Sequence, residues 1–189
     1  MREQQAAIGI RAHSGWGAVV VVSESSGRIE VIERRRIPIV DPKMKGASQP
    51  FHFAEGMDLA RAESYLADCA AVSDRIAIAG VRDLAAGHRA AGCAILLASG
   101  RPLPSLKMIL ASHSLIHAAE GEFFRRRFWS ACEELGIKVT GIREKELGER
   151  APDEWKREVA GLGKSIGPPW TVDQKCATLA ALLVLRGER

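Results

Sequence analysis

The stretch AIGIRAHSGWGAVVVV, Ala7–Val22, decides the fold. Its two ends are apolar and compatible with β-structure, and SGWG between them supplies turn residues. Four consecutive valines, Val19–Val22, are β-branched and without polar interruption, as in a strand buried on both faces. SSGR makes a second turn, and RIEVIERRRIPIV then sets Ile29, Val31, Ile37 and Ile39 against charged neighbours, as a strand with one wet face does. Three tightly connected strands of this kind make an antiparallel meander.

After the loop DPKMKGASQ the pattern changes. From Met57 to Ala91 the chain is rich in alanine and leucine and free of proline, which predicts helix, either continuous or broken near Val72–Asp74. CAILLAS, Cys93–Ser99, reads as a short buried strand, and GRPLP interrupts the chain again. Ser105–Leu135 has helical spacing, with Leu115, Ala118, Ala119, Phe123, Phe128, Cys132 and Leu135 near one face, a break expected around Ser112 and a stop at Gly136. IKVTGIRE is the last strand. Residues 152–162 form a short amphipathic helix, and a capping box of Thr171 and Gln174 opens a final helix over Val172–Leu185.

The order is strand, strand, strand, helix, strand, helix, strand, helix. Right-handed crossovers make strands one, four and five parallel and leave strand two antiparallel to them in a mixed five-stranded α/β sheet flanked by helices. At 189 residues the chain is expected to be one domain over 1–189, with the helical part 151–189 packed on the same sheet. A content of 47% hydrophobic and 26% charged residues excludes a disordered chain, and a net charge of +4 gives a mild positive field. Cys69, Cys93, Cys132 and Cys176 show no C-x-x-C pair and read as reduced thiols. No segment approaches the roughly 20 apolar residues of a membrane span, and the cytoplasm is the expected compartment.

Element order and three stretches resemble the ribonuclease H-like superfamily, in particular its Holliday-junction resolvase branch. IGIRAHSGWG is similar to the first strand and turn of that branch, CAILLASG to the strand that ends in a glutamate, and TVDQKCATLAALLVL to the last helix, which opens with two acids three residues apart. The resemblance implies a cluster of carboxylates holding two divalent metals for phosphodiester cleavage. Here Arg11 stands at the aspartate position, Ser99 or Gly100 at the glutamate position, and Asp173 and Cys176 at the final pair. One carboxylate does not hold two magnesium ions, so the chain is expected to diverge from the two-metal nucleases.

Open α/β sheets bind ligands beyond the carboxyl ends of their parallel strands. That edge is expected to gather Arg11, His13 and Ser14, the loop Ser99–Arg101, the helix start near Ser112, and Asp173. His113, His117 and Glu120, spaced by four and three, share a helical face. Three readings of them stand open: half-buried, hydrogen-bonded histidines with Glu120 facing solvent, a borderline-metal site with His13 as a further ligand, or metal-free acid/base chemistry by His13, His113, His117 and Glu120 on an anionic substrate with Arg11, Ser14 and Asp173 as binding residues. His52 and Glu55 form a second histidine–acid pair. No metal ligand is assigned outright, and no cofactor is named.

The basic triplets Arg34–Arg36 and Arg125–Arg127 are either phosphate contacts or solvated surface. Few aromatics accompany them, and Trp16, Trp129, Trp155 and Trp170 read as core or lid residues. GLGKS, Gly161–Ser165, lacks the upstream glycine and preceding strand of a phosphate-binding loop. An enzyme and a non-catalytic nucleic-acid- or protein-binding module both remain open, with nucleic acid or an anionic small molecule as the partner, no membrane, and self-association possible.

Overall fold

The computed structural model describes residues 5–88, 90–98 and 102–187. Strands β1 (Ala6–His13), β2 (Trp16–Ser25) and β3 (Arg28–Pro38) form the meander, and β4 (Ala90–Leu97) and β5 (Val139–Arg143) extend it. The spatial order is β3-β2-β1-β4-β5. β2 runs antiparallel to both β1 and β3, while β1, β4 and β5 are parallel, as right-handed crossovers require. Ser14 and Gly15 make the first turn, with Gly15 at φ 80°, a conformation that suits glycine. Val19–Val22 are fully buried between the two layers of helices. The β2–β3 register slips between Val21 and Val22, and Ile32 is left 43% exposed, which explains the phase change along RIEVIERRR.

Helix α2 (Leu59–Ala85) is continuous across Val72–Asp74 and stops two residues before Gly87, so that β4 begins at Ala90, earlier than the alanine-rich pattern predicts. The loop before it holds an unforeseen turn of helix, α1 (Pro50–Ala54). After the short α3 (Leu106–Leu110), α4 (His113–Glu134) starts beyond Ser112 and ends before Gly136, at φ 70°. Its buried stripe is Ile116, Ala119, Glu120, Phe124, Phe128, Ala131 and Cys132, displaced by about one residue from the expected face. α5 (Glu144–Arg150) follows β5 without a break, then α6 (Asp153–Ile166) and α7 (Val172–Leu185), which carries the predicted capping box.

One face of the sheet packs on α2 and α4, through Ala77, Val81, Leu84, Phe124 and Phe128. The other packs on α5, α6 and α7, with α7 crossing β1, β2 and β4. A third core, of Phe51, Ala54, Ala62, Leu66, Ile109, Ile116 and Ala119, joins α1 and α3 to the opening turns of α2 and α4. α4 lies over the sheet at Phe128, whose ring fills the space above Gly17. His113 precedes Phe128 by fifteen residues, roughly 22 Å of helix, so the start of α4 overhangs the sheet.

α7 lies close against the backbone of β1 at Gly9. A Cβ there would stand 2.7 Å from the carbonyl carbon of Ala177 and closer still to its oxygen. Both are backbone atoms that cannot turn aside. Gly9→Ala is therefore expected to lower the unfolding free energy by about 3 kcal/mol through overpacking, read as a lower urea midpoint; an unchanged midpoint would show that α7 sits further from the strand.

Candidate functional site at the carboxyl edge

Strand alternation puts Ala7, Gly9, Arg11 and His13 on the α7 face of β1. Helix and strand keep step there: four helical residues rise about 6 Å and two strand residues about 6.6 Å. Ala177 lies over Gly9, and Asp173, one turn earlier, comes over Arg11 and His13. The first turn of a long helix favours the Asp173 carboxylate.

Arg11 Nη1 donates to Asp173 Oδ1, and Nη2 donates to Glu144 Oε1 at 2.6 Å. His13 Nε2 lies 3.1 Å from Asp173 Oδ1, at ion-pair distance but off the line of a well-formed hydrogen bond. Burial opposes the Arg11 charge, but Asp173 and Glu144 outweigh it and raise the guanidinium above its already high ordinary pKa. Arg11 is thus held by internal partners. His13 stacks on Trp16 with ring centroids 4.3 Å apart, and the Arg36 guanidinium lies 3.9 Å over the same indole. Trp16 belongs to this edge rather than to the core. Ser14 is exposed in the adjoining turn.

Glu144 was not singled out in the sequence, although it directly follows the last strand and so had to emerge at this edge. Cys176, one turn after Asp173, is half-buried, and burial pushes its thiol up, partly countered by Arg11 and reinforced by Glu144 and Asp173. It is a poor nucleophile and a poor metal ligand at neutral pH.

His113, His117 and Glu120 do not join this group. Among the described residues, no hydrogen bond, ion pair or ring contact links them to Arg11, His13 or Asp173; they sit on the overhanging start of α4. Glu120, expected in solvent, is 2% exposed, because it continues the i, i+4 stripe Ile116–Glu120–Phe124–Phe128. His113 and His117 are exposed, with Nε2 atoms 3.1 Å apart. His52, on α1, takes the place expected for His13: its Nδ1 lies 2.9 Å from Glu120 Oε2, and its main-chain N–H donates to Glu120 Oε1 at 3.2 Å. Glu55, the expected partner of His52, is instead the exposed C-cap of α1.

The arginine triplets are largely occupied by internal partners. Arg34 donates to the carbonyls of Ile166, Gly167, Pro168 and Pro169 at the end of α6. Arg35 pairs with Glu33 and Asp83, Arg125 with Glu122, and Arg127 with Asp74 at 3.0 Å. Arg36 and Arg126 remain exposed.

No protein-family model matches the chain, and no curated protein matches it. Solved structures do. RuvC of Thermus thermophilus bound to a Holliday-junction substrate superposes with a TM-score of 0.57 at 13% identity, over 94% of this chain and 90% of that one. A second structure of Thermus thermophilus RuvC gives 0.55 at 12% identity, over 94% and 91%. The fold is ribonuclease H-like, similar to that of RuvC. The likeness extends over nearly the whole of both chains, with very little shared sequence.

The two divalent metals implied by that fold do not fit the residues present. The first-strand position at which the resemblance implies an aspartate holds a cation, Arg11, which is paired with Asp173 and Glu144. The glutamate position, Ser99 or Gly100, lies outside the described residues. Removing the cation leaves Asp173 and Glu144 with uncompensated negative charge. Arg11→Ala is expected to cost about 1–2 kcal/mol, a modest figure because the pairs are partly exposed, and millimolar magnesium should restore part of the lost melting temperature in the variant while leaving the wild type unchanged. Equal magnesium response in both proteins would count against an arginine standing in for the metal. Cys176 is likewise expected to react with iodoacetamide at neutral pH more slowly than a free cysteine peptide, measured by mass spectrometry.

Proposed function

We propose that the chain is a cytoplasmic nucleic-acid-binding protein with a resolvase-type fold that engages phosphates at the carboxyl edge of its sheet without two-metal cleavage. The carrying observation is the Arg11 pairing with Asp173 and Glu144, which replaces a metal-binding carboxylate cluster by a closed set of ion pairs. The edge retains features suited to a nucleic acid: an aromatic surface at Trp16, a histidine stacked on it, and the exposed cation of Arg36. Arg11 is sequestered, so the phosphate-contacting part expected of it passes to Arg36. The likeness to a protein solved with a Holliday junction makes a branched duplex the first ligand to try. Four free cysteines accord with a reducing compartment, and among the described residues no helix is long and apolar enough to cross a membrane.

Fluorescence anisotropy with a labelled four-way junction, a linear duplex and a single strand tests this reading. Binding is expected to weaken with salt along a log–log slope of about −3, for three or four phosphate contacts, and Arg36→Ala should reduce that slope by about one. Incubation with magnesium or manganese should leave the junction intact. Metal-dependent strand cleavage, or binding insensitive to salt, would overturn the proposal.

A further inference from the structure

We propose that His52, His113 and His117 form a zinc(II) site backed by the buried carboxylate of Glu120. One ring nitrogen from each of the three histidines lies within 4.8 Å of the others. The rings meet edge to face, with centroids 4.6–5.3 Å apart. His113 and His117 are one helical turn apart on α4, and their Nε2 atoms stand at 3.1 Å. Two nitrogens bound to one tetrahedral zinc at 2.0–2.1 Å are about 3.3 Å apart, so this pair already has the bite of a chelate.

Glu120 supplies an independent reason. A carboxylate 2% exposed calls for positive charge close by. Among the described residues its only hydrogen-bond and ion-pair partner is His52: the main-chain N–H donates to Oε1, and the ring Nδ1 stands 2.9 Å from Oε2, at ion-pair distance but off the line of a well-formed hydrogen bond. With Nδ1 of His52 turned to Glu120, Nε2 is the nitrogen left to ligate, which is the carboxylate–histidine–metal relay that orients and strengthens imidazole ligands. A zinc ion on the far side of that ring provides the cation that the buried carboxylate lacks. The Glu120 carboxylate, two turns into α4, in turn offsets the cost of placing positive charge at the start of that helix.

His113 and His117 face solvent, so a fourth coordination position falls to water. The ion would tie α1 to α4 across the third hydrophobic core. This site lies on the overhanging helices, away from Arg11 and Arg36, and it stands or falls separately from the nucleic-acid reading.

Calorimetric titration of the metal-free chain with zinc(II), and visible spectroscopy with cobalt(II), should give one equivalent per chain and the absorption of a four- or five-coordinate centre. Zinc should raise the melting temperature by several degrees. His117→Ala, on the exposed face, should weaken zinc binding at least a hundredfold and abolish that shift with an unchanged circular dichroism spectrum; Glu120→Gln should weaken it ten- to a hundredfold. Failure of the wild type to take up stoichiometric zinc, or equally tight binding by the His113→Ala/His117→Ala variant, would overturn the proposal.

Discussion

The contact between the backbone of α7 and the bare Cα of Gly9 sets the geometry on which the carboxyl edge depends. A side chain on β1 at that point would hold the helix away from the sheet. With none there, the helix lies close enough for Asp173 to reach both Arg11 and His13, and for Ala177, Ala180 and Ala181 to pack with Val20, Val22 and Ala94. The small-residue face of α7 is the counterpart of the same requirement. Sequence, packing and electrostatics thus converge on one residue without a side chain.

An arginine between two carboxylates does electrostatically what a cation does in a metal site: it neutralises repulsion between acids drawn from two helix starts, Glu144 of α5 and Asp173 of α7. It does so without Lewis acidity and without an exchangeable water, the two things a metal supplies to phosphodiester cleavage. Glu144, at the end of β5, supplies a carboxylate that the resemblance did not lead one to expect, and Cys176 remains a protonated thiol beside the cluster. On the opposite side of the sheet, the extension of α4 beyond the edge creates a second polar cluster with its own core beneath it.

Much of the fold was legible because its signals were local. The valine run, the glycine turns and the Thr171–Gln174 capping box each fix a boundary by short-range physics, and element order with crossover handedness then leaves few sheet topologies. The candidate sites were less legible because they are assembled from distant segments. His52 lies in a stretch whose brief helix is too short to show a period, and nothing local links it to α4. Glu120 was misplaced because an acid within an apolar stripe was read by its chemistry instead of its phase: continuing 116, 120, 124, 128 would have buried it. The boundary between α2 and β4 is hidden because alanine-rich sequence extends past the true helix end at Ala85.

The outer strand, β3, is one of two sheet edges, and such edges invite another chain to add to them. This one is poorly suited to that. Its register slips at Ile32, it presents three consecutive arginines, and Arg34 is drawn across to four carbonyls at the end of α6. A further strand laid along β3 would meet a kinked backbone and a row of cations. Self-association by lengthening the sheet is therefore discouraged on this flank.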